Sequence, residues 1–317
     1  MSAASGPRAA GTGATTLWPE GFRAAVALTF DVDAESVMLA SDPSLAQRTS
    51  LMSHQRYGPQ TGLPRILRLL AERGVRATFF VPGHTAEQHP GPIQAIRDAG
   101  HEIGHHGYLH ELLTGTDEAT EREYLERGLQ ALDQVTGVRP IGYRAPWWET
   151  TDRTLDLLVE YGFRFDSSLF DADVPYVREL PGGSITEIPV SWALDDWEKY
   201  AFWPGVTGTG TIERPSLVAE HWWEEVLAYA EEGACCVITM HPFLSGRPAR
   251  ARALGWLIER ITEHGEIWLA PLCEIADRAM AARAAASGAD YVKMPVQSKV
   301  ENHHINGPIL GGSRDNP

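Results

Sequence analysis

Short apolar runs alternate with longer helical patterns along most of this chain. Residues 24–30 (AAVALTF) and 77–81 (ATFFV) predict buried strands, and residues 63–74 between them predict an amphipathic helix. Further strands are predicted at 101–104, 141–145, 164–168, 234–240 and 266–270, and further helices at 92–99, from Thr116 or Asp117, and at 151–162, 215–232, 249–264 and beyond 270. This βα repetition favours a mainly parallel sheet that closes into a barrel or nearly so.

Composition adds limits on the partners and on the domain count. The 317 residues carry 27 Lys and Arg against 42 Asp and Glu, a net charge of −15, without a cluster of basic residues. Nucleic acid and anionic membranes are therefore not expected partners, and small or neutral substrates fit better. Residues 1–17 and 285–317 are poor in core-forming side chains and are predicted to be tails around one domain at 18–284.

Location can be predicted from apolar segments and cysteines. The N-terminal residues lack a basic and apolar leader pattern, and no run of about 18 apolar residues follows. Of three cysteines, Cys235 and Cys236 lie inside an apolar run, as buried thiols do in a reducing compartment. We therefore expect a cytoplasmic protein that does not enter a membrane.

Two carboxylates leave the end of the first predicted strand. Asp31 and Asp33 are two residues apart and should point to the same side. Such a pair is costly to bury without a cation or a shared proton. The alternative is a turn or helix cap, for which Asp is common after a strand.

Histidines follow the strand predicted at 101–104. His106 and His110 are four residues apart and can meet on one face of a helical turn, whereas the role of His105 is ambiguous. Two imidazoles with one carboxylate form the three-ligand set of a catalytic zinc-type site with a position left for water. The alternative is packed or surface histidines without a ligand.

Ionisable side chains also follow three later strands. Arg144 precedes Ala-Pro-Trp147-Trp, Asp166 lies in the next strand, and His241 ends the apolar run at 234–240. Arg144 and Asp166 could instead form a structural ion pair. Because chemistry in barrels of this type lies at the carboxyl ends of the strands, these residues together predict an active site.

The order of these motifs resembles the polysaccharide deacetylase superfamily, also called the NodB homology or carbohydrate esterase superfamily. The matching segments are Phe30-Asp31-Val32-Asp33, residues 100–110 (GHEIGHHGYLH), Arg144-Ala145-Pro146-Trp147 and Met240-His241-Pro242. The resemblance implies an α/β fold, a deformed and incomplete (β/α) barrel, over about residues 24–278. It also implies a divalent metal, most simply zinc, although iron, cobalt, nickel and manganese suit the same ligands.

The resemblance also implies roles for individual residues. By motif position, Asp33, His106 and His110 would hold the metal, Asp31 would be the base and His241 the acid. Three further residues are candidates for the catalytic site: Arg144 to orient Asp31, Trp147 to donate its backbone N–H to the oxyanion, and Asp166.

Two features are similar to one branch of the superfamily. Asp31-Val32-Asp33 replaces the usual adjacent Asp-Asp, and Arg56-Tyr57-Gly58 precedes a helix start at 62–67. That branch contains cofactor-independent allantoinases, cyclic imide hydrolases and cytoplasmic peptidoglycan-deacetylase-like proteins, and it implies a homo-oligomer, in particular a tetramer. The inserted Val32 leaves open an exchange of roles between the two aspartates.

The expected activity is hydrolysis of a nonpeptide C–N bond in a small cyclic imide or amide. N-acetyl-sugar or peptidoglycan deacetylation, a role in carbohydrate metabolism, is the alternative. An inactive relative that only binds metal or carbohydrate is disfavoured, because binding would require neither Asp31 nor His241. The aromatic insertion at 192–214 could line the pocket or pack in the core.

Overall fold

Nine strands and twelve helices make up the part of the chain that the computed structural model describes, residues 17–202 and 211–288. The strands are β1 (Ala24–Asp31), β2 (Thr78–Val81), β3 (Glu102–His105), β4 (Gly142–Tyr143), β5 (Phe165–Asp166), β6 (Tyr176–Leu180), β7 (Gly183–Glu187), β8 (Cys235–Met240) and β9 (Ile267–Leu269). The helices are α1 (Ser36–Ser41), α2 (Thr49–Tyr57), α3 (Leu63–Arg73), α4 (Gly83–Gln88), α5 (Pro90–Asp98), α6 (Glu118–Thr136), α7 (Thr154–Glu160), α8 (Trp197–Tyr200), α9 (Pro215–Glu232), α10 (Pro242–Ser245), α11 (Pro248–His264) and α12 (Leu272–Ser287).

The strands form one curled sheet in the order β6-β7-β5-β4-β3-β2-β1-β8. Neighbouring strands are parallel except β6 and β7, which form an antiparallel hairpin. Strand β1 pairs with β8 along one edge, while its other edge pairs with β9 at Ala24–Val26 and with β2 at Thr29–Asp31. The predicted α/β architecture, a deformed and incomplete barrel, is confirmed.

The side chains of β1 alternate between two parts of the core. Val26, Leu28 and Phe30 pack with the apolar faces of α3, α9 and α11 outside the sheet. Ala25 and Ala27 face the other side, in a cluster with residues of α12. Because both faces of the strand are covered, its sequence is one continuous apolar run and does not alternate between apolar and polar residues. Its carboxyl end at Asp31 is held rigidly by this packing.

Helix α6 begins after one of its two predicted capping residues, whereas the helix predicted at 151–162 is shorter, since α7 begins only at Thr154 and has no side-chain cap. The Asp117 side chain accepts a hydrogen bond from Thr120 N at 2.8 Å, so Asp117 rather than Thr116 caps α6. Helix α12 continues to Ser287, three residues into the segment predicted as a tail, and residues 1–16 and 289–317 lie outside the described residues. Within the described ranges, every helix is too short or too polar to cross a bilayer.

The fold also differs from the predicted elements elsewhere: α1, α2 and α4 were not predicted, and two differences concern strands. Sequence patterning missed the β6–β7 hairpin, because β6 is partly exposed along its length and lacks an apolar run. The strands predicted at 141–145 and 164–168 contain only two residues each, β4 and β5. The chain leaves the sheet at both points and forms the loops that carry site residues.

Candidate metal centre and active site

A carboxylate and two imidazoles meet at the carboxyl ends of β1 and β3. Asp33 Oδ1 lies 3.5 Å from His106 Nε2, and Asp33 Oδ2 lies 3.6 Å from His110 Nε2. All three side chains are buried, and one donor atom from each lies within 4.8 Å of the others. The structure therefore brings the three predicted ligands together.

The donor chemistry of this group fits a divalent metal. Neither oxygen of buried Asp33 has a hydrogen-bond partner among the described residues, an arrangement that is costly for a carboxylate without a cation. His106 Nδ1 donates to Arg144 O at 2.8 Å, which leaves the lone pair of Nε2 facing Asp33. Burial lowers the pKa of His106 to about 3, so the imidazole is neutral, as a ligand must be.

Asp31 lies beside this group and is held by a buried arginine. Arg144 Nη1 donates to Asp31 Oδ1 at 2.9 Å and to Thr29 Oγ1 at 2.9 Å. The other oxygen, Asp31 Oδ2, lies 3.9 Å from His106 Nε2. Arg144 thus pairs with Asp31 rather than forming the alternative ion pair with Asp166. One carboxylate oxygen is fixed by Arg144 and the other faces the candidate metal site.

His241 approaches from the end of β8 and forms a pair with Asp196. Its Nδ1 lies 2.7 Å from Asp196 Oδ1, while its Nε2 lies 3.6 Å from Asp33 Oδ2 and faces the site. The Asp196 carboxylate also accepts hydrogen bonds from His241 N and the Ser245 hydroxyl. Burial alone would lower the pKa of His241, but Asp196, with Asp195 and Asp33, raises it to about 10.

A π-helical turn at Gly58–Gly62 holds the segment that follows His241. A Cβ atom on Gly62 would lie 2.0 Å from Pro242 O, so only glycine permits this approach. The Tyr57 hydroxyl and the Arg65 guanidinium donate to the carbonyl of Gly246. Tyr57 and the following turn and helix therefore lie against the segment that follows the acid candidate.

The loop after β4 is strained. Trp147 and Trp148 have φ angles of 59° and 56°, left-handed values that cost roughly 1–3 kcal/mol per residue outside glycine. This loop places the Trp147 ring 5.1 Å from the His110 ring. Such strain persists where surrounding contacts fix the backbone, as in functional sites.

A small cavity of about 120 Å³ opens over the group. Its lining consists of Asp31, Asp33, Val37, His106, His110, Trp147, Trp148, Trp192, Asp195, Trp197, Glu198 and His241. From the insertion at 192–214, Trp192, Asp195 and Trp197 line the cavity, Asp196 and Tyr200 are buried and Phe202 is exposed. Trp203, also in that insertion, lies outside the described residues.

The remaining histidine and aspartate candidates lie away from the cavity. His105 is buried, with Nε2 3.1 Å from Leu125 O and Nδ1 accepting a hydrogen bond from Gly107 N. Both ring nitrogens therefore contact backbone groups and do not face the candidate metal site. Asp166 is fully buried and hydrogen-bonded to Ser168, and it does not line the cavity. A direct role in catalysis for Asp166 therefore has no support from its position.

Sequence reasoning did not single out Asp196 as a functional residue. The sequence locates Asp196 only within the aromatic insertion at 192–214, because its partner His241 is 45 residues away. The carboxylate pair Asp195-Asp196 before Trp197 was the available signal. Only the folding of that segment against β8 shows that Asp196 contacts His241.

Comparison with known proteins assigns the family. Residues 23–165 match the family model described as polysaccharide deacetylase. A peptidoglycan deacetylase of Helicobacter pylori is 30% identical over 278 residues, which cover 80% of this chain and 94% of that protein. The chain therefore belongs to the polysaccharide deacetylase family.

Solved structures agree with this assignment. One is a Mycobacterium smegmatis protein whose assignment as a polysaccharide deacetylase is provisional; it is 51% identical, with a TM-score of 0.82 over 88% of this chain and 96% of that chain. Another is the Puue allantoinase, 27% identical, with a TM-score of 0.74 over 88% of this chain and 98% of that chain. Both a deacetylase and an allantoinase hydrolyse C–N bonds outside peptides, as the predicted enzyme class does.

Proposed function

We propose that this chain is a metal-dependent hydrolase of a nonpeptide C–N bond and that its preferred substrate is a small cyclic amide or imide. The observation that carries the choice of substrate is the aromatic lining of the cavity of about 120 Å³ above Asp33. Sites for drug-sized ligands enclose about 300–1,000 Å³. The cavity is therefore suited to a single small ring or an acyl group.

The chemistry of the walls supports the same choice. Trp147, Trp192 and Trp197 line the cavity with flat aromatic faces, and Asp195 adds a carboxylate that can accept an N–H donor. A planar ring amide presents apolar faces and N–H groups on its edge. The TM-score of 0.74 to an allantoinase is consistent with this substrate class.

The metal would be held by Asp33, His106 and His110, and zinc is the simplest choice among zinc, iron, cobalt, nickel and manganese. When bound, it would supply Lewis acidity to the scissile carbonyl and to water. In this assignment Asp33 is the ligand and Asp31 is free to accept a proton. The contacts of Asp31 with Arg144 support the assignment, because they hold one oxygen and leave the other facing the site.

The protein groups supply proton transfer and charge stabilisation. Asp31 accepts a proton from the attacking water, and Arg144 fixes its orientation. The backbone N–H of Trp147 donates to the oxyanion that develops on the carbonyl. Protonated His241 then donates the Nε2 proton to the leaving nitrogen, and the Asp196 charge keeps that imidazole protonated before the reaction.

N-acetyl-sugar deacetylation is the second candidate. An exposed aromatic surface next to the cavity favours it: Trp192 and Phe170 are 48% and 46% exposed, and their rings stack at 5.5 Å. Sugar rings stack on such faces, and an acetamido group would fit the cavity. The peptidoglycan deacetylase of Helicobacter pylori, 30% identical, supports this alternative.

The test is a substrate panel with zinc-loaded protein. We expect ring opening of succinimide, hydantoin or allantoin, and loss of that activity in the Asp31→Asn variant used as the matched control. Release of acetate from N-acetylglucosamine oligomers without ring opening would establish the deacetylase instead. No turnover of either class by metal-loaded protein would identify an inactive relative. The expected homo-oligomer and cytoplasmic location are retained as predictions.

A further inference from the structure

Two buried carboxyl groups lie on neighbouring strands behind the active site. Asp166 in β5 is the register partner of Glu187 in β7, and both are fully buried. The two side chains are within hydrogen-bonding reach of each other. Asp166 Oδ2 and Glu187 Oε2 have no donor among the described residues. Two ionised carboxylates in this position would repel each other, and the charge of Arg144 offsets this only in part, whereas one proton between them would satisfy both oxygens.

The other oxygen of each carboxyl holds the segment that follows β5. Asp166 Oδ1 accepts a hydrogen bond from Ser168 Oγ at 2.7 Å. Glu187 Oε1 accepts from Ser168 N at 3.2 Å and from Leu169 N at 3.0 Å. The pair therefore fixes both the backbone and the side chain of Ser168.

Ser167 and Ser168 contact two parts of the catalytic machinery. Ser168 Oγ accepts from Ala145 N at 2.9 Å, at the start of the strained Ala145–Trp148 loop. Ser167 accepts from Arg144 twice, through its carbonyl at 3.1 Å and its hydroxyl at 3.1 Å. Arg144 in turn holds Asp31. The same two serines thus connect the carboxyl pair to the Ala145–Trp148 loop and to the arginine that orients the proposed base.

We propose that Asp166 and Glu187 share one proton and act as a positioning pair, which fixes the Ala145–Trp148 loop and Arg144 through Ser167 and Ser168. The inference rests on the proposed function only for the catalytic role of that loop. Burial supports the shared proton: it raises the pKa of Asp166 to about 6 and that of Glu187 well above its ordinary value. Asp166, expected from the sequence to be catalytic, becomes a positioning residue.

Replacement of Glu187 can distinguish a shared proton from simple packing. Glu187→Gln keeps the acceptor for Ser168 N, supplies an N–H to Asp166 in place of the proton, and preserves the net charge of the pair. Glu187→Ala removes both the acceptor for Ser168 N and the hydrogen that would lie between the two side chains. Ser168→Ala leaves the pair intact but breaks its connection to Ala145 N. Glu102→Gln is the matched control, a buried glutamate at the opposite end of β3.

Three measurements on these variants test the proposal. The first is the infrared carbonyl band of a protonated carboxylic acid, measured as the difference between wild type and Glu187→Gln at pH 7. We expect a positive band from wild type in this difference, since the contribution of Glu102 is common to both proteins and cancels. The second is hydrogen exchange of the Ala145 amide, expected to accelerate at least ~10-fold in Glu187→Ala and Ser168→Ala but not in the Gln variants. The third is hydrolysis of 4-nitrophenyl acetate by metal-loaded protein.

For the ester probe, we expect kcat to fall ~10²-fold in Glu187→Ala and Ser168→Ala with KM nearly constant, the effect of a misplaced catalytic group. Glu187→Gln and Glu102→Gln should stay within ~3-fold of wild type. Equal loss in Glu187→Gln and Glu187→Ala, or an absent infrared band, would overturn the shared proton. Unchanged exchange and kcat in Ser168→Ala would overturn the positioning role even if Glu187→Ala failed to fold. Failure of the proposed function would instead appear as no ester hydrolysis with the infrared and exchange results intact.

Discussion

The substitution Asp196→Asn isolates the charge that keeps His241 protonated. Asparagine retains an oxygen that can accept the hydrogen bond from His241 Nδ1, now 2.7 Å from Asp196 Oδ1, but it removes the negative charge. The Ser245 hydroxyl can rotate to accept from the new amide group. The substitution therefore changes the electrostatics of the acid candidate more than its position.

The magnitude follows from the opposing contributions to the pKa of His241. Burial lowers this pKa from 6.5, while Asp196 leads the contributions that raise it to about 10. Without the Asp196 charge, we expect the pKa to return to the ordinary range near 6.5. At pH 8 about 3% of the imidazole would then be protonated, so a step that needs this proton should slow about 30-fold.

Two assays measure this effect. Histidine-selective NMR titration, with the His241 signal assigned from the His241→Ala variant, gives the pKa without any substrate. The pH profile of kcat for an amide substrate should lose its rate at high pH in Asp196→Asn, whereas an activated ester, whose leaving group needs no proton, should be little affected. A pKa that stays near 10 in Asp196→Asn would refute the reasoning. Equal slowing of ester and amide would assign His241 another role.

The remaining predictions concern the ligands, the two aspartates and a buried glutamate away from the site. His106→Ala and His110→Ala should each lose stoichiometric metal and activity while remaining folded; full metal occupancy by elemental analysis would exclude them as ligands. Asp31→Asn should keep the metal and lose ~10²–10⁴-fold in kcat, whereas Asp33→Asn should weaken metal binding, and the reverse result would exchange their roles. Burial raises the pKa of Glu102 from 4.5 to about 7, so the folded state binds its proton more tightly and the wild type should lose about 3 kcal/mol of unfolding free energy, relative to Glu102→Gln, as pH rises through this window. Urea denaturation at pH 5 and pH 8 measures that difference, and parallel changes in both proteins would contradict it.

Apolar runs and capping residues in the sequence predict many of the strands and helices. The apolar run at Ala24–Asp31 predicts β1 because a strand covered on both faces needs apolar side chains at every position. The capping aspartate at Asp117 and the glycine at 137 mark the two ends of α6. By contrast, β6 pairs with β7 through backbone hydrogen bonds on a partly exposed surface, and its side chains carry no period that would reveal it.

The candidate site likewise combines residues that local patterns locate with contacts that only the fold creates. Local patterns are enough to predict that Asp31, Asp33, His106, Arg144 and His241 lie at strand ends. They also predict one site, because the carboxyl ends of parallel strands meet at one rim and a buried ionisable residue there needs a partner.

The pairings among these and other residues follow from the three-dimensional fold. Arg144 contacts Asp31 and not Asp166, His241 contacts Asp196, and Asp166 lies beside Glu187. These contacts join segments 21 to 113 residues apart, with the separations set by strand order and by the path of the loops. Hydrophobic periodicity specifies which face of an element is buried, but it carries no information on which distant polar group will meet it there.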